Sequence, residues 1–183
     1  AINGDYAIIG AVYTNDKRGI SDSAYIFKRE GDTWTEQTKL LPKDGPISNW
    51  FGYSVAINGD YAIIGAYRDN NKATLSGSAY IFKREGEAWT QRAKLLASDG
   101  AAFDLFGSSV SIHENYAIIG APWDDDDGGH AGSAYIFKLE GSDEGGTEGG
   151  DDGGTASIKV TDSKARYGEP VNMSVKVQNA PNK

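Results

Sequence analysis

Residues 1–11 read AINGDYAIIGA, residues 56–66 repeat the same letters without a change, and residues 111–121 return them as SIHENYAIIGA. The offset is 55 residues in both intervals. Other landmarks keep the same spacing. SAYIFK starts at Ser23, Ser78 and Ser133, Trp-Thr occurs at Trp34 and Trp89, Lys-Leu-Leu at Lys39 and Lys94, and Phe-Gly at Phe51 and Phe106. A fixed period without insertions marks an array of like units, each covering its apolar faces with its neighbours.

Each unit reads as four short strands. The first runs from Phe51 to Ile57, with Phe51, Tyr53, Val55 and Ile57 on one face at period two. Asn58-Gly59 predicts a type I′ hairpin turn, whose two central residues both need positive φ. Tyr61–Ala66 forms the second strand, Ser78–Lys83 the third and Trp89–Leu96 the fourth, with a polar connection from Tyr67 to Gly77. The run AIIGA is too short, too β-branched and too closely flanked by turn residues for a helix. The fold class is therefore all-β: four-stranded antiparallel sheets on a 55-residue repeat, the blades of a β-propeller. The small, apolar second strand packs among neighbouring blades, its alanine and glycine suit the crowded inner region, and Tyr80, Phe82 and Trp89 fill the gaps between blade faces. Ile8, Ile63 and Ile118 are expected in equivalent buried environments.

The array divides into a partial blade over 1–50, a full blade over 51–105 and a partial blade over 106–141. Propellers close with about 4–8 blades, so the ring is incomplete in this chain. A fragment of a longer chain, a ring assembled from several chains and an open stack are the three ways to account for that. Residues 142–155 are acidic and glycine-rich, the composition of a linker. Beyond them Ala156–Val160 and Val171–Val177 alternate like two strands around Tyr167-Gly-Glu-Pro170. The 156–183 segment resembles the start of an immunoglobulin-like module.

Among 183 residues, 24 are glycine, ten are tyrosine and four are tryptophan, and the formal charge is −8. That charge argues against nucleic acid, whose phosphates require a basic patch, and against anionic lipid. No cysteine is present, which excludes disulfides and thiolate chemistry. No stretch approaches the roughly 18 apolar residues of a membrane-spanning helix, so membrane insertion is not expected.

Phe51-Gly52 and Phe106-Gly107, followed by Gly120-Ala121-Pro122 in the third copy, carry a family likeness. Gly10-Ala11-Val12 and Gly65-Ala66-Tyr67 match the second motif in two positions of three. Over residues 1–141 the chain resembles the FG-GAP repeat family, which builds the propeller of integrin α-subunit heads and occurs in bacterial surface and secreted proteins. The resemblance implies extracellular recognition or adhesion. Integrin-type blades often hold calcium in a loop between the FG and GAP strands. Here that connection is only Asn58-Gly59-Asp60, or His113-Glu114-Asn115, and is too tight to supply the six to eight oxygens calcium takes.

Catalysis needs convergent polar groups, and the two histidines, His113 and His130, stand among unrelated serines with no G-x-S-x-G elbow. No enzymatic site is expected. The connections Val12–Asp22, Tyr67–Gly77 and Pro122–Gly132 vary between copies and share one face of the propeller. Tyr13, Tyr67 and Trp123 on them are candidates for stacking against a carbohydrate or protein ligand. In Asp124–Asp127 alternate carboxylates of an extended loop point to one side, which makes Asp124 and Asp126 the candidate metal ligands, with calcium as the hard cation they suit. The alternative is an acidic surface screened by water and salt. The expected function is a non-catalytic extracellular binding or adhesion module. A structural subunit of an extracellular assembly or filament, with further copies of itself as partner, and an accessory propeller of a secreted enzyme are the alternatives.

Overall fold

The structure, a computed structural model, describes residues 1–16, 19–43, 49–126, 131–140 and 159–165. Every regular element among them is a strand. The first sheet holds β1 (Ile2–Asn3), β2 (Tyr6–Asp16), β3 (Gly19–Glu30) and β4 (Thr33–Leu40). The second holds β5 (Ser54–Asn58), β6 (Tyr61–Ala66), β7 (Ser78–Glu85) and β8 (Ala88–Leu95). The third holds β9 (Ser109–His113), β10 (Tyr116–Ala121), β11 (Ser133–Glu140) and β12 (Lys159–Ala165). Each sheet is antiparallel and keeps its strands in chain order, so each is a propeller blade; the three do not close a ring.

The 55-residue period reappears as register. Ile8 pairs with Ile26, Ile63 with Ile81, and Ile118 with Ile136. Strand β6 is buried without a break from Ala62 to Ala66, because the middle blade is covered on both faces. That is why AIIGA lacks the apolar–polar alternation of a half-exposed strand. One core unites Ile8, Ala24, Ile26 and Leu40 of blade 1 with Phe51, Ile64, Tyr80, Phe82 and Trp89 of blade 2. The other joins Ile63, Ala79, Ile81 and Leu95 of blade 2 to Phe106, Ile119, Tyr135 and Phe137 of blade 3. Each interface thus sets an aliphatic face of one blade against an aromatic face of the next.

Several expectations change in detail. Phe51 is fully buried, but Tyr53 is 52% exposed, because residues 51–53 form a turn and the strand starts only at Ser54. The β5–β6 hairpin pairs Asn58 with Tyr61, so its central residues are Gly59 and Asp60. Only Gly59 has positive φ, the pattern of a type II′ rather than a type I′ turn. Ile8 and Ile63 are fully buried while Ile118 is 44% exposed, since blade 3 has no described neighbour on that face. Trp89 is buried at the blade 1–blade 2 interface; its counterpart Trp34 lies on the open face of blade 1 and is 38% exposed.

The third blade holds the largest difference. Residues 159–165, within the segment likened to the start of a module, pair with β11 from Glu140↔Lys159 to Ala134↔Ala165 as the fourth strand of the sheet. Tyr135↔Lys164 takes the place of Tyr25↔Lys39 and Tyr80↔Lys94, although β12 pairs without the register shift of the other two blades. The linker over 142–155 and the second strand over 171–177 lie outside the described residues.

Candidate functional site

The connector between blades 1 and 2 and the connections after β2 and β6 meet on one face. Trp50, at positive φ (59°), stands at the centre. Its ring centroid is 5.1 Å from Tyr13, 5.2 Å from Tyr67 and 5.9 Å from Tyr53, and Tyr53 and Tyr67 are 4.5 Å apart. The Arg68 guanidinium lies 4.1 Å from the Trp50 ring, a cation–π contact. Trp50 Nε1–H donates to the Tyr13 hydroxyl at 2.9 Å. Beneath the rings, buried Asp22 accepts the Tyr13 N–H at 2.9 Å and the Trp50 N–H at 2.6 Å, holding two non-glycine residues of positive φ. A carboxylate that takes both backbone donors offsets the strain those conformations carry. Tyr13 and Tyr53 remain about half exposed.

Tyr13 and Tyr67, chosen from the sequence, are therefore brought together. Trp50, which bridges them, and Tyr53 and Arg68, which complete the group, were missed. Their common signal is position: Trp50 directly precedes Phe51-Gly52, and Leu105 holds the matching place with the same positive φ (56°). Trp123 does not join this group. It is 54% exposed at the blade 2–blade 3 connection, where its N–H reaches the Asp104 carbonyl. The connection after β2 also differs from the expected loop, because β2 and β3 continue as a two-stranded ribbon past a register shift between Ala11 and Thr14.

A second polar group lies beside Trp123. Carboxylate oxygens of Asp99, Asp124 and Asp126 all lie within 4.8 Å of one another. Asp124 is buried, and its Oδ1 accepts the Asp126 N–H at 3.2 Å. The Tyr135 hydroxyl is 2.7 Å from Asp99 Oδ1 and 2.8 Å from Asp124 Oδ2. Burial first, then the bonds to Asp99 and Asp124 and their charges, push the Tyr135 phenol far above its ordinary range. Asp104, also buried, has its carboxyl raised by burial and by the charges of Asp124, Asp126 and Asp125, against the opposing hydrogen bond from Ala101 N–H. Asp124 and Asp126 thus converge as the sequence suggested, and these hard oxygens are the ones that could hold a divalent cation. Asp99 was missed because it comes from the exit of blade 2. Asp127 and His130 lie outside the described residues.

The repeat supplies a comparison. Asp69, the counterpart of Asp124, is buried and accepts from Ser78 Oγ (2.7 Å), Tyr80 Oη (3.1 Å) and Lys94 Nζ (2.8 Å). Burial pulls its carboxyl upward, but Lys94, Ser78 and Tyr80 together hold it below the usual aspartate value. The same loop position meets a lysine in blade 2, and in blade 3 it also stands beside Asp99 and Asp126. His113 is exposed, with Glu114 at 4.0 Å.

The model of the FG-GAP repeat matches residues 34–82 and 89–137, more than half of the chain. The chain belongs to the FG-GAP repeat family. No curated protein matches it. Each matched window of FG-GAP sequence begins in the fourth strand of one blade and ends in the third strand of the next, so the unit spans an interface.

The two glycines of the FG-GAP motif have a physical cause at that interface. A Cβ on Gly10 or Gly65 would stand 1.7 or 2.1 Å from the carbonyl oxygen of the next blade's FG glycine, Gly52 or Gly107. Gly52 and Gly107 adopt φ of 97° and 90°, and a Cβ there would meet the Ser23 or Ser78 carbonyl oxygen at 2.3 or 2.2 Å. Backbone packs on backbone at both positions, which leaves room only for glycine.

Proposed function

We propose that this chain is a non-catalytic binding module of an exported or cell-surface protein, with a ligand surface formed by Tyr13, Trp50, Tyr53, Tyr67 and Arg68. The observation that carries the reading is the aromatic group itself. Four rings meet on loops of a rigid two-blade seam, two of them half exposed, with hydroxyl edges and a guanidinium at their rim. Soluble proteins normally cover rings of this size, and such a surface suits a ligand with both apolar faces and hydroxyls. A carbohydrate has that chemistry, with ring faces to stack and hydroxyls for Arg68 and the tyrosine phenols. Family membership and the negative charge support an extracellular setting, and no described helix is long and apolar enough to cross a membrane. Affinity electrophoresis through gels containing soluble polysaccharides tests the reading. Retardation by at least one glycan, abolished in a Tyr13→Ala/Tyr53→Ala variant and retained in Trp123→Ala, is the expected result. Equal mobility of the unsubstituted chain in every gel would remove the carbohydrate reading.

A second reading concerns Asp99, Asp124 and Asp126, whose convergence favours a hard-cation site that ties the exit of blade 2 to the loop of blade 3. Isothermal titration with calcium tests it: saturable heat that an Asp124→Asn/Asp126→Asn variant lacks supports the site, and no heat at millimolar calcium ends it.

A further inference from the structure

Four arginines lie among the described residues, and three of them are paired with acids. Arg29 meets Asp5 at 2.8 Å, Arg84 meets Asp60, and Arg92 meets Glu85. Arg68 is the exception: it is exposed, and its guanidinium meets no carboxylate among the described residues. Acids outnumber bases by 26 to 18 in this chain, so the lack of a partner is not a lack of carboxylates.

The two aspartates closest to Arg68 in this part of the fold are committed elsewhere. Asp69, next in sequence, is buried and takes its bonds from Lys94, Ser78 and Tyr80. Asp22, beneath the rings, has its two oxygens occupied by the N–H groups of Tyr13 and Trp50. Aromatic rings hold Arg68 instead. Its guanidinium lies 4.1 Å from the Trp50 ring centroid and 5.8 Å from that of Tyr67, and its backbone N–H donates to the Asn49 carbonyl at 3.3 Å. A guanidinium held over a ring keeps its N–H fork for a further partner, and that fork matches the two oxygens of a carboxylate. Fixing the side chain in advance also lowers the entropy lost when an anion binds.

The groups around it carry hydroxyls. The Tyr53 and Tyr67 phenols bond to no described residue, and the Tyr13 hydroxyl accepts the Trp50 Nε1–H while keeping its own hydrogen to donate. We propose that the ligand is an acidic glycan of hexuronate units, with a carboxylate received by Arg68 and a sugar ring against Tyr13 and Tyr53. This rests on the carbohydrate reading of the same surface and adds the charge of the sugar. A neutral sugar would offer Arg68 hydroxyls alone, and bonds to a carboxylate are about twice as strong.

Isothermal titration with galacturonate and mannuronate oligomers, each as free acid and as methyl ester, tests the proposal. The ester keeps the ring and its hydroxyls and removes the charge; EDTA is present so that no calcium bridges the acid to Asp99, Asp124 and Asp126. The expected result is that at least one free acid binds about tenfold more tightly than its ester. Arg68→Gln should abolish that difference and leave the ester affinity unchanged, whereas Arg29→Gln should retain it. Arg68 is exposed and lacks an ion pair, so the melting curve of Arg68→Gln should match that of the unsubstituted chain; Arg68→Met repeats the test should it not. Equal affinity for acid and ester would overturn the acidic-glycan assignment and leave the aromatic surface as a site for neutral sugars. A preference for the acid that survives substitution of Arg68 would overturn the role given to that residue. Binding of neither acid, with retardation by a neutral polysaccharide, would overturn the proposal alone; binding of no glycan at all would remove the carbohydrate reading with it.

Discussion

Replacing Gly52 by alanine probes the seam between blades 1 and 2 most directly, and Gly59→Ala supplies a matched control. Both glycines have positive φ, 97° and 55°. At Gly59 an added Cβ meets nothing within 4 Å, so the cost is conformational, about 1–2 kcal/mol for an L-residue in left-handed backbone. At Gly52 the same atom would stand 2.3 Å from the Ser23 carbonyl oxygen and 3.2 Å from the Ala11 nitrogen, both on the neighbouring blade. Neither contact is the end of a flexible side chain, so the sheets must separate, and overpacking of this kind costs a further 1–3 kcal/mol or so. The lost chain entropy of an unfolded glycine offsets both variants equally. Gly52→Ala should therefore lower stability by about 2–5 kcal/mol against about 1–2 for Gly59→Ala. For a chain of this length the middle of the larger range lowers the melting midpoint by roughly 10 °C. Urea titration followed by far-ultraviolet circular dichroism and tryptophan emission measures both. A Gly52→Ala variant no less stable than Gly59→Ala would refute the claim that the FG glycine is fixed by the approach of the adjacent blade.

Trp89→Ala should cost about 3–5 kcal/mol in denaturant, since it removes a buried ring and its Nε1–H bond to Gln37. Trp34→Ala should change the stability of the chain by no more than about 1 kcal/mol, since this ring lies on the open face of blade 1. Lys94→Met should destabilise by about 3–5 kcal/mol by leaving the Asp69 carboxylate buried without its cation, and adding Asp69→Asn should recover much of the loss. The folded-state carboxyl of Asp69 is depressed, so its contribution is complete above the unfolded value of 3.8 and is lost as pH falls through the lower folded value. In Lys94→Met the acid limb of stability against pH should move to higher pH. Tyr135→Phe should lower the calcium heat less than Asp99→Asn does, because it removes a hydrogen bond to Asp99 and Asp124 whereas Asp99→Asn removes a carboxylate of the site.

How much was legible depended on whether a feature repeats at short range. The 55-residue echo of Ile8, Ile63 and Gly65 identified the blades, whereas the place of the FG and GAP glycines at the seam emerged only from their contacts. Tyr53 and Ile118 were misplaced because alternation along one strand does not reveal whether a neighbouring blade covers it. Trp50 and Asp99 owe their places to connections between blades, where the partner comes from another sheet. Strand β12 was hidden by distance along the chain. Val160-Thr161 and Lys164-Ala165 echo Trp89-Thr90 and Lys94-Leu95, but with one residue fewer. The missing residue is the one that bulges from β8, where the register shifts between Ile81 and Phe82; β12 pairs without a shift.

Strand β12 also sets an order of events in time. Strands β3 and β4 are joined by Gly31-Asp32, and β7 and β8 by Gly86-Glu87, whereas residues 141–158 separate β11 from β12. Closing a connection of eighteen residues in place of two costs about 2 kcal/mol more, by the logarithmic growth of loop entropy. The outer strand of blade 3 is therefore the last to dock in folding and the first to detach below global unfolding. Amide hydrogens of Lys159–Ala165 should exchange ahead of those in Ala88–Leu95, and each detachment bares the β11 edge to any extended chain that reaches it.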